Sequence, residues 1–211
     1  MRITAIEKQP RRRRANVHID GRFALSLSLE LVAQAGLHVG DAVEPQQVES
    51  LRQADVRHQA YEASLRLLAY RPRSQAEIRQ RLARRGLPPP VVQETIARLD
   101  DQGLLDDAAF ARFWVEARDQ SSPRSRRLLG QELWAKGIER EIAREAVAAV
   151  AEEDAALRAA EKKARHLQGL DYPTFRRRLG DFLLRRGFPY DTVSATVDRL
   201  WQQAQGNPNC L

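Results

Sequence analysis

The sequence predicts a mainly α-helical protein, in which three tandem three-helix repeats follow a small N-terminal module of β-hairpin and helix. Two patterns predict this fold class. One set of residue types recurs with a period of about 50 residues over residues 57–202, whereas strand-like alternation of apolar side chains is confined to residues 1–56. The 211 residues are 43% hydrophobic and 30% charged, which suffices for one or two ordinary cores.

The N-terminal module begins with alternating apolar side chains that predict a hairpin. Pairing Val17 with Leu25, and Ile19 with Phe23, places these four side chains on one face of a sheet. This pairing leaves residues 20–22, Asp-Gly-Arg, as a three-residue connection.

A further strand and two helices complete the predicted module. Residues 3–7 predict the additional strand. Ser28 is a typical N-cap for a short helix that ends near Gly36, and Glu44-Pro45 predicts the start of the second helix.

The repeat is defined by three glycines, Gly86, Gly137 and Gly187, which lie 51 and 50 residues apart. The residue before each glycine is basic, the residue after it is apolar, and the fourth residue before it is leucine. A proline lies fourteen residues before each glycine, and apolar residues lie ten and thirteen after it. Because these positions match in all three copies, they indicate an internal repeat, longer than tetratricopeptide or HEAT-type repeats.

Each repeat is predicted to contain three helices, of which the second ends at the glycine. Ser74 and Ser125, two residues after their prolines, are predicted N-caps. A left-handed glycine ends the helix, and the apolar residue after it packs on the leucine four before it. The predicted domains are residues 57–105, 106–154 and 155–202, followed by a flexible tail over residues 203–211.

Basic residues are concentrated on the second helix of each repeat. The three sixteen-residue segments that end at the glycines hold 15 basic and 3 acidic residues, whereas segments 87–121 and 138–171 hold 9 basic and 15 acidic. The helix dipole favours basic residues in a last turn and explains part of this pattern. It does not explain arginines at the N-terminal end of the helix, so the pattern predicts a surface that faces phosphates or carboxylates. The candidate binding residues are Arg71, Arg73, Arg81, Arg84, Arg85, Arg124, Arg126, Arg127, Lys136, Arg176, Arg177, Arg178, Arg185 and Arg186.

A second basic run, formed by Arg11, Arg12, Arg13 and Arg14, lies on a predicted loop between strands. Such a run is either a solvated loop or a flexible phosphate clamp, and both interpretations stay open. The net charge of +7 favours a polyanionic partner.

The sequence predicts no catalytic site, no metal site and no cofactor. The four histidines are scattered, the single cysteine is Cys210, and no glycine-rich phosphate loop is present. The acidic pairs Asp100-Asp101 and Asp106-Asp107 flank a turn between helices, where Asp107 is the best candidate for an N-cap.

The large aromatic side chains of the repeats fall at helical spacing and are predicted to be core residues, although one exposed beside arginine could stack on a base. They are Trp114, Trp134, Trp201, Phe182 and Phe188. No run of 18 apolar residues and no N-terminal signal segment is present, so we expect a soluble, cytoplasmic protein that binds no membrane. We also expect a monomer.

Four segments resemble the RecX family of RecA recombinase regulators. They are SLRLLAYRPRSQAEIRQRLARRG at residues 64–86, DDAAFARFWVEAR at 106–118, RLLGQELWAKGI at 127–138 and RRRLGDFLLRRGFPYDTV at 176–193. The resemblance covers about residues 57–202. This chain departs from the family at Ser121 and Ser122, where relatives often carry a glycine-rich turn, and in the alanine- and lysine-rich first helix of the third repeat.

The resemblance implies a non-enzymatic protein with a basic concave face. It further implies that the protein docks in the groove of the RecA–single-stranded-DNA filament and modulates recombination, ATP hydrolysis and strand exchange, most often by restraining the filament. The residues alone leave open whether this chain inhibits or stabilises filaments. The implied partners are the RecA filament and single-stranded DNA, with duplex DNA as a further candidate. The residues alone leave open a general nucleic-acid-binding module that acts without RecA, whereas a hydrolase is poorly supported because no catalytic constellation is present.

Overall fold

The computed structural model describes residues 1–206, within which a three-stranded sheet is followed by ten helices. The strands are β1 (Ile3–Lys8), β2 (Arg14–Ile19) and β3 (Arg22–Ser28). The helices are α1 (Leu29–Gln34), α2 (Pro45–Tyr70), α3 (Gln75–Ala83), α4 (Pro89–Asp101), α5 (Asp107–Ser121), α6 (Arg126–Ala135), α7 (Arg140–Ala148), α8 (Glu152–Arg165), α9 (Tyr172–Arg185) and α10 (Tyr190–Gly206). The predicted fold class is confirmed.

The three strands form an antiparallel sheet in the order β1-β2-β3. The predicted strand over residues 3–7 is present as β1. Val17 pairs with Leu25, as the alternation of apolar residues predicted, and both side chains are buried.

The hairpin turn between β2 and β3 is shorter than predicted. Asp20 and Gly21 have φ of 50° and 77°, and Ile19 pairs with Arg22, so the connection has two residues rather than three. Positive φ at both central residues is typical of a type I′ turn, which Asp-Gly favours. The predicted pairing of Ile19 with Phe23 is therefore wrong. A register shift within the hairpin compensates for the shorter turn, and Phe23 is 59% exposed.

The two predicted helices of the N-terminal module are present, but the second is longer than expected. Ser28 caps α1 by accepting a hydrogen bond from the Leu31 amide. Glu44 precedes α2, which begins at Pro45 and continues without interruption to Tyr70. The predicted division between residues 56 and 57 thus falls inside α2, which serves both the N-terminal module and the first repeat.

The second helix of each repeat ends as predicted. Gly86, Gly137 and Gly187 have φ of 75°, 78° and 85°. The amide after each glycine donates to the carbonyl of the leucine four before it, at 3.4, 3.0 and 3.3 Å respectively. This is the Schellman arrangement, and all three leucines are fully buried.

The chain forms two compact units. The first comprises Met1–Arg71 and Ile78–Leu105, and the second comprises Pro72–Glu77 and the residues from Asp106 onward. In the first unit α2 packs against β3 and α4. One apolar cluster of this unit, around Leu27, lies beneath the sheet, and a second, around Leu82, lies among the helices.

The second unit contains two three-helix bundles, α5–α7 and α8–α10. Their buried apolar side chains form one continuous cluster, which includes Phe110, Leu133 and Leu183. Helix α10 continues to Gly206, so residues 203–206 of the predicted flexible tail are helical, and the remainder, including Cys210, lies outside the described residues. Within residues 1–206, no helix has the length and apolar character that a membrane span requires.

Candidate nucleic-acid interface

The candidate basic residues of the second helices divide into exposed and partly buried groups. The exposed ones are Arg81, Arg84, Arg85, Arg126, Arg127, Arg176, Arg177, Arg178 and Arg185. The partly buried ones are Arg71, Arg73, Arg124, Lys136 and Arg186. Arg71 and Arg73 also make contacts within the chain. Burial and partners therefore decide which of these cations is available to a ligand.

Lys136, the basic residue before Gly137, is held by the segment that begins α3. Its Nζ lies 2.7 Å from Glu77 Oε1, and its carbonyl accepts a hydrogen bond from Ser74 Oγ at 2.7 Å. The ammonium also lies 4.4 Å from the centroid of the Trp114 ring. These contacts lie within the second unit and engage Lys136 in holding the fold together.

Arg186 occupies the equivalent position in the third repeat and makes equivalent contacts. Its guanidinium donates to Ser122 Oγ at 2.7 Å and to the Pro123 carbonyl at 3.2 Å. Its own carbonyl accepts a hydrogen bond from the Ser125 amide at 3.1 Å. Burial, together with the nearby charge of Arg124, lowers the pKa of the Arg186 guanidinium. Within the second unit, the residue before the glycine thus contacts the segment that begins α3, in the case of Lys136, or the segment that precedes α6, in the case of Arg186.

Arg124 is engaged by a partly buried carboxylate. Glu132 accepts hydrogen bonds from Trp114 Nε1 at 2.8 Å, from Arg118 Nε at 2.9 Å and from the Arg124 guanidinium. Two arginines on one half-buried carboxylate form a charge-assisted network that orients all four side chains.

The exposed arginines differ in their partners. Arg126 Nε donates to the Val150 carbonyl at 2.7 Å, and the Arg176 guanidinium donates to the Tyr190 hydroxyl at 3.2 Å. Among residues 1–206, the remaining exposed candidates form neither a side-chain hydrogen bond nor an ion pair. They are Arg81, Arg84, Arg85, Arg127, Arg177, Arg178 and Arg185, here called the free arginines. The second helix of each repeat carries at least one free arginine. The planar guanidinium groups of these residues suit phosphate or carboxylate oxygens.

The second and third helices of the last two repeats enclose equivalent grooves. The groove between α6 and α7 is lined by Arg127, Gly130, Trp134, Arg140, Ala143 and Val147. The groove between α9 and α10 is lined by residues at the same sequence positions relative to the repeat glycine, namely Arg177, Gly180, Leu184, Tyr190, Val193 and Val197. We call these the repeat-2 groove and the repeat-3 groove.

Trp134 is a surface residue of the repeat-2 groove, so the prediction that it belongs to the core is wrong. Its side chain is 67% exposed, whereas Phe188 is buried and Trp114, Trp201 and Phe182 pack partly buried against the core. Trp134 follows the buried Leu133, and adjacent residues point about 100° apart around a helix. That offset from the leucine positions is the sequence signal for its exposure.

The basic run also divides into two groups. Arg11, Arg12 and Arg13 lie in the predicted loop between β1 and β2, whereas Arg14 is the first residue of β2, so its predicted loop position is wrong. The Arg14 guanidinium donates to both carboxylate oxygens of Asp55, at 2.7 and 3.3 Å, and Asp55 is 4% exposed. Arg14 therefore anchors β2 to α2. Arg13 pairs with Glu30 at 2.6 Å, and Arg11 and Arg12 are exposed.

The acidic residues of the turn before α5 cap helices. Asp106 accepts a hydrogen bond from the Ala109 amide at 2.8 Å and is the N-cap of α5, so the prediction of Asp107 as that cap is wrong. Asp107 instead accepts a hydrogen bond from the Gln75 amide at the start of α3, at 2.9 Å. Over the described part of the chain, no group of three or more potential ligand side chains is arranged to hold a metal ion.

Four domain models of one family match the chain in order. The Regulatory protein RecX N-terminal domain matches residues 1–44. The first, second and third three-helix domains of RecX match residues 60–99, 106–147 and 151–197. The chain belongs to the RecX family. The family match includes the N-terminal module, which lies outside the resemblance over residues 57–202.

Relatives and solved structures agree with this assignment. Regulatory protein RecX of Lacticaseibacillus casei is 32% identical over 202 residues, which cover 93% of this chain and 76% of that protein. Regulatory protein RecX of Bacillus subtilis is 28% identical and covers 94% of this chain and 76% of its own. A crystal structure of regulatory protein RecX shares the fold, with a TM-score of 0.68 at 24% identity, over 93% of this chain and 98% of that one. RecX from Lactobacillus salivarius has a TM-score of 0.61 at 25% identity, over 70% and 97% of the two chains.

Proposed function

We propose that this chain regulates a RecA recombinase by binding the RecA–single-stranded-DNA filament, and that it inhibits recombination, ATP hydrolysis and strand exchange. One observation carries the proposal. Free arginines recur on the second helix of each repeat, in a chain whose relatives are named Regulatory protein RecX. The charge favours a polyanionic partner, and the family supports regulation as the class of function.

The free arginines supply the contacts to phosphate. An exposed guanidinium without an acidic partner loses no internal ion pair when it binds a phosphate. Helix α9 offers three such groups, Arg177, Arg178 and Arg185. Binding of this kind releases counterions from the nucleic acid and weakens as the salt concentration rises.

Repetition of the same chemistry suits a partner that is itself a repeating polymer. When one repeat is bound, the others bind at a high effective concentration, so weak contacts to successive filament sites add up to high avidity. Segments 87–121 and 138–171, which lie between the second helices, hold 9 basic and 15 acidic residues and disfavour placement of DNA elsewhere on the chain.

Inhibition requires a preference between filament states. A bound protein shifts an equilibrium only through its different affinities for the two states. We therefore propose that the contacts to neighbouring filament sites are strongest in a filament state that does not grow and does not hydrolyse ATP.

The deciding experiment measures ATP hydrolysis and strand exchange by a bacterial RecA on single-stranded DNA, with and without this protein. We expect both rates to fall as the protein is added, and we expect tighter binding to the RecA-coated strand than to the same strand without RecA. Equal affinity for the two strands, with unchanged ATP hydrolysis, contradicts the proposal and identifies a general nucleic-acid-binding module.

A further inference from the structure

The repeat-2 groove contains an exposed aromatic ring between cations. Trp134 lies in it with its side chain 67% exposed, and Arg127 and Arg140 lie on its two sides, from α6 and α7 respectively. Neither arginine has an ion-pair partner among residues 1–206, and no carboxylate lines the groove. A third cation, Arg144, pairs with the exposed Glu141. The groove thus combines an apolar ring face with uncompensated positive charge.

A helical glycine opens the floor of this groove without serving the packing of the chain. Gly130 has ordinary helical backbone angles, and a Cβ atom built on it would meet nothing within 4 Å. Glycine within a helix destabilises it relative to alanine, so its presence requires another reason. Gly130 lies between Arg127 and Trp134 on one helical face, and a side chain there would occupy the space beside the indole.

The other two repeats lack this combination. In the repeat-3 groove Leu184 stands in place of the tryptophan, and Asp181 contributes a negative charge. In the first repeat the position of Gly130 is occupied by Arg79, and the position of Trp134 by Ala83. The repeat-2 groove therefore combines an exposed aromatic ring, a helical glycine and arginines unpaired within residues 1–206 in a way that the repeated fold alone does not require.

From this geometry we propose that the repeat-2 groove binds one unstacked nucleotide of single-stranded DNA. The base stacks on the Trp134 ring, and Arg127 and Arg140 bind the flanking phosphates. Every base has a π-face, so this contact tolerates any sequence, and duplex DNA is excluded because its base faces are already stacked. This inference deepens the proposed function, on which it rests for the choice of DNA as the partner.

The test is titration of a short fluorescein-labelled oligodeoxythymidylate with the full chain, at several salt concentrations. Loss of one stacked base weakens binding at least about fivefold, so we expect Trp134→Ala to lower affinity by this factor at every salt concentration. Arg127→Gln should instead reduce the dependence of log affinity on log salt by about 0.7. Trp134→Phe should retain most of the affinity, and Leu184→Ala, at the matched position of the third repeat, should leave it unchanged.

Two further measurements separate stacking from a structural effect. Stacking of a base should quench the indole fluorescence of the wild-type protein, and this quenching should be lost in Trp134→Phe. Gly130→Leu should fill the groove and weaken binding without lowering the melting temperature, because the space beside the glycine is open. Quenching that persists in Trp134→Phe contradicts the assignment.

Different experimental results contradict the nucleotide site and the proposed function. If Trp134→Ala binds the oligonucleotide as tightly as the wild type, the nucleotide site is overturned. If that variant loses affinity only for RecA without DNA, the groove belongs to a protein partner, and the nucleotide site is again overturned. Oligonucleotide binding that depends on Trp134, with RecA-catalysed ATP hydrolysis unaffected by the wild-type protein, supports the groove and contradicts the proposed function.

Discussion

Two of the repeat glycines have a second structural role besides ending a helix. A Cβ atom on Gly137 would overlap the Cβ of Ala76, and one on Gly187 would lie 2.5 Å from Ser125 Oγ. Gly86 has nearly the same φ but nothing within 4 Å of that position. All three glycines meet the conformational requirement of the motif, but only the later two also allow a close approach by another segment of the second unit, around Ala76 or Ser125.

This difference predicts unequal effects of the same substitution. Gly86→Ala should cost about 1–2 kcal/mol, because alanine resists the left-handed conformation. Gly137→Ala should cost a further ~1–3 kcal/mol, because the added methyl group forces Ala76 to move. The measurement is the free energy of unfolding from urea denaturation of each variant.

A second substitution provides the control for the Gly137 effect. Ala76→Gly removes the atom that the new methyl group meets, so it should recover part of the stability lost in Gly137→Ala and none of that lost in Gly86→Ala. Equal losses for the two single glycine variants would show that conformation alone matters at both positions.

Within the second unit, the N-terminal cap residues of α3 and α6 each bond the residue that follows the next second helix, Lys136 or Arg186. Ser74 Oγ accepts a hydrogen bond from the Glu77 amide at 3.1 Å and donates one to the Lys136 carbonyl. Ser125 Oγ accepts from the Leu128 amide at 3.1 Å. In this second case the contact to the next repeat comes from the Ser125 backbone amide. Helices α3 and α6 thus share a serine cap but differ in the donor of the second hydrogen bond, which is the Ser74 hydroxyl in one case and the Ser125 backbone amide in the other.

This difference makes the two caps unequal in their effect on stability. Ser125→Ala removes one capping bond and should cost about 1 kcal/mol. Ser74→Ala removes the cap and also leaves the partly buried Lys136 carbonyl without its side-chain donor, so we expect a loss of about 2–3 kcal/mol. Urea denaturation measures both values.

Ser121→Ala is the matched control, since its hydroxyl bonds the Ala117 carbonyl on an exposed helix end. We expect it to change stability by no more than about 0.5 kcal/mol. A Ser74→Ala variant as stable as Ser125→Ala would mean that the bond to Lys136 contributes nothing to stability.

Across the whole molecule, the basic residues of the second helices fall into two functional classes. Lys136 binds Glu77, Arg186 binds Ser122, and Arg124 binds Glu132, all within the second unit. The free arginines make no comparable contacts among residues 1–206. Substitution should therefore destabilise the fold in the first class and weaken ligand binding in the second.

The triple change of Arg177, Arg178 and Arg185 to Ser tests the second class. Loss of three phosphate contacts should reduce the salt dependence of single-stranded DNA binding by about 2 log units per log unit of salt. The melting temperature should stay close to that of the wild type, because the replaced side chains have no ion pairs within residues 1–206. Salt-dependent anisotropy titrations and thermal unfolding give the two measurements.

A variant with the same loss of charge provides the control. Arg112, Arg165 and Arg199 are exposed residues of the first and third helices, and their change to Ser also removes three positive charges. This control should keep most of the salt dependence. Equal effects of the two triple variants would indicate that net charge, rather than the second helices, determines binding.

Much of the fold follows from interactions between residues close in the sequence. A Schellman motif forms at a left-handed glycine when the next amide bonds a carbonyl five residues earlier, and a serine cap needs an amide three residues later. Gly137 with Leu133, and Ser125 with Leu128, therefore made the helix ends predictable. The hairpin was less predictable, since turn length and a register shift can compensate for each other and leave Val17 opposite Leu25.

The sequence by itself determined the three repeats, the ends of their second helices and the concentration of positive charge on them. Only the tertiary structure decided which cations are free, because the partners of Lys136 and Arg186 lie 59 and 64 residues away in the chain. It also decided that Trp134 is exposed in a groove rather than buried. Local hydrogen bonding sets where a helix ends, whereas the availability of a side chain depends on which distant segments pack around it.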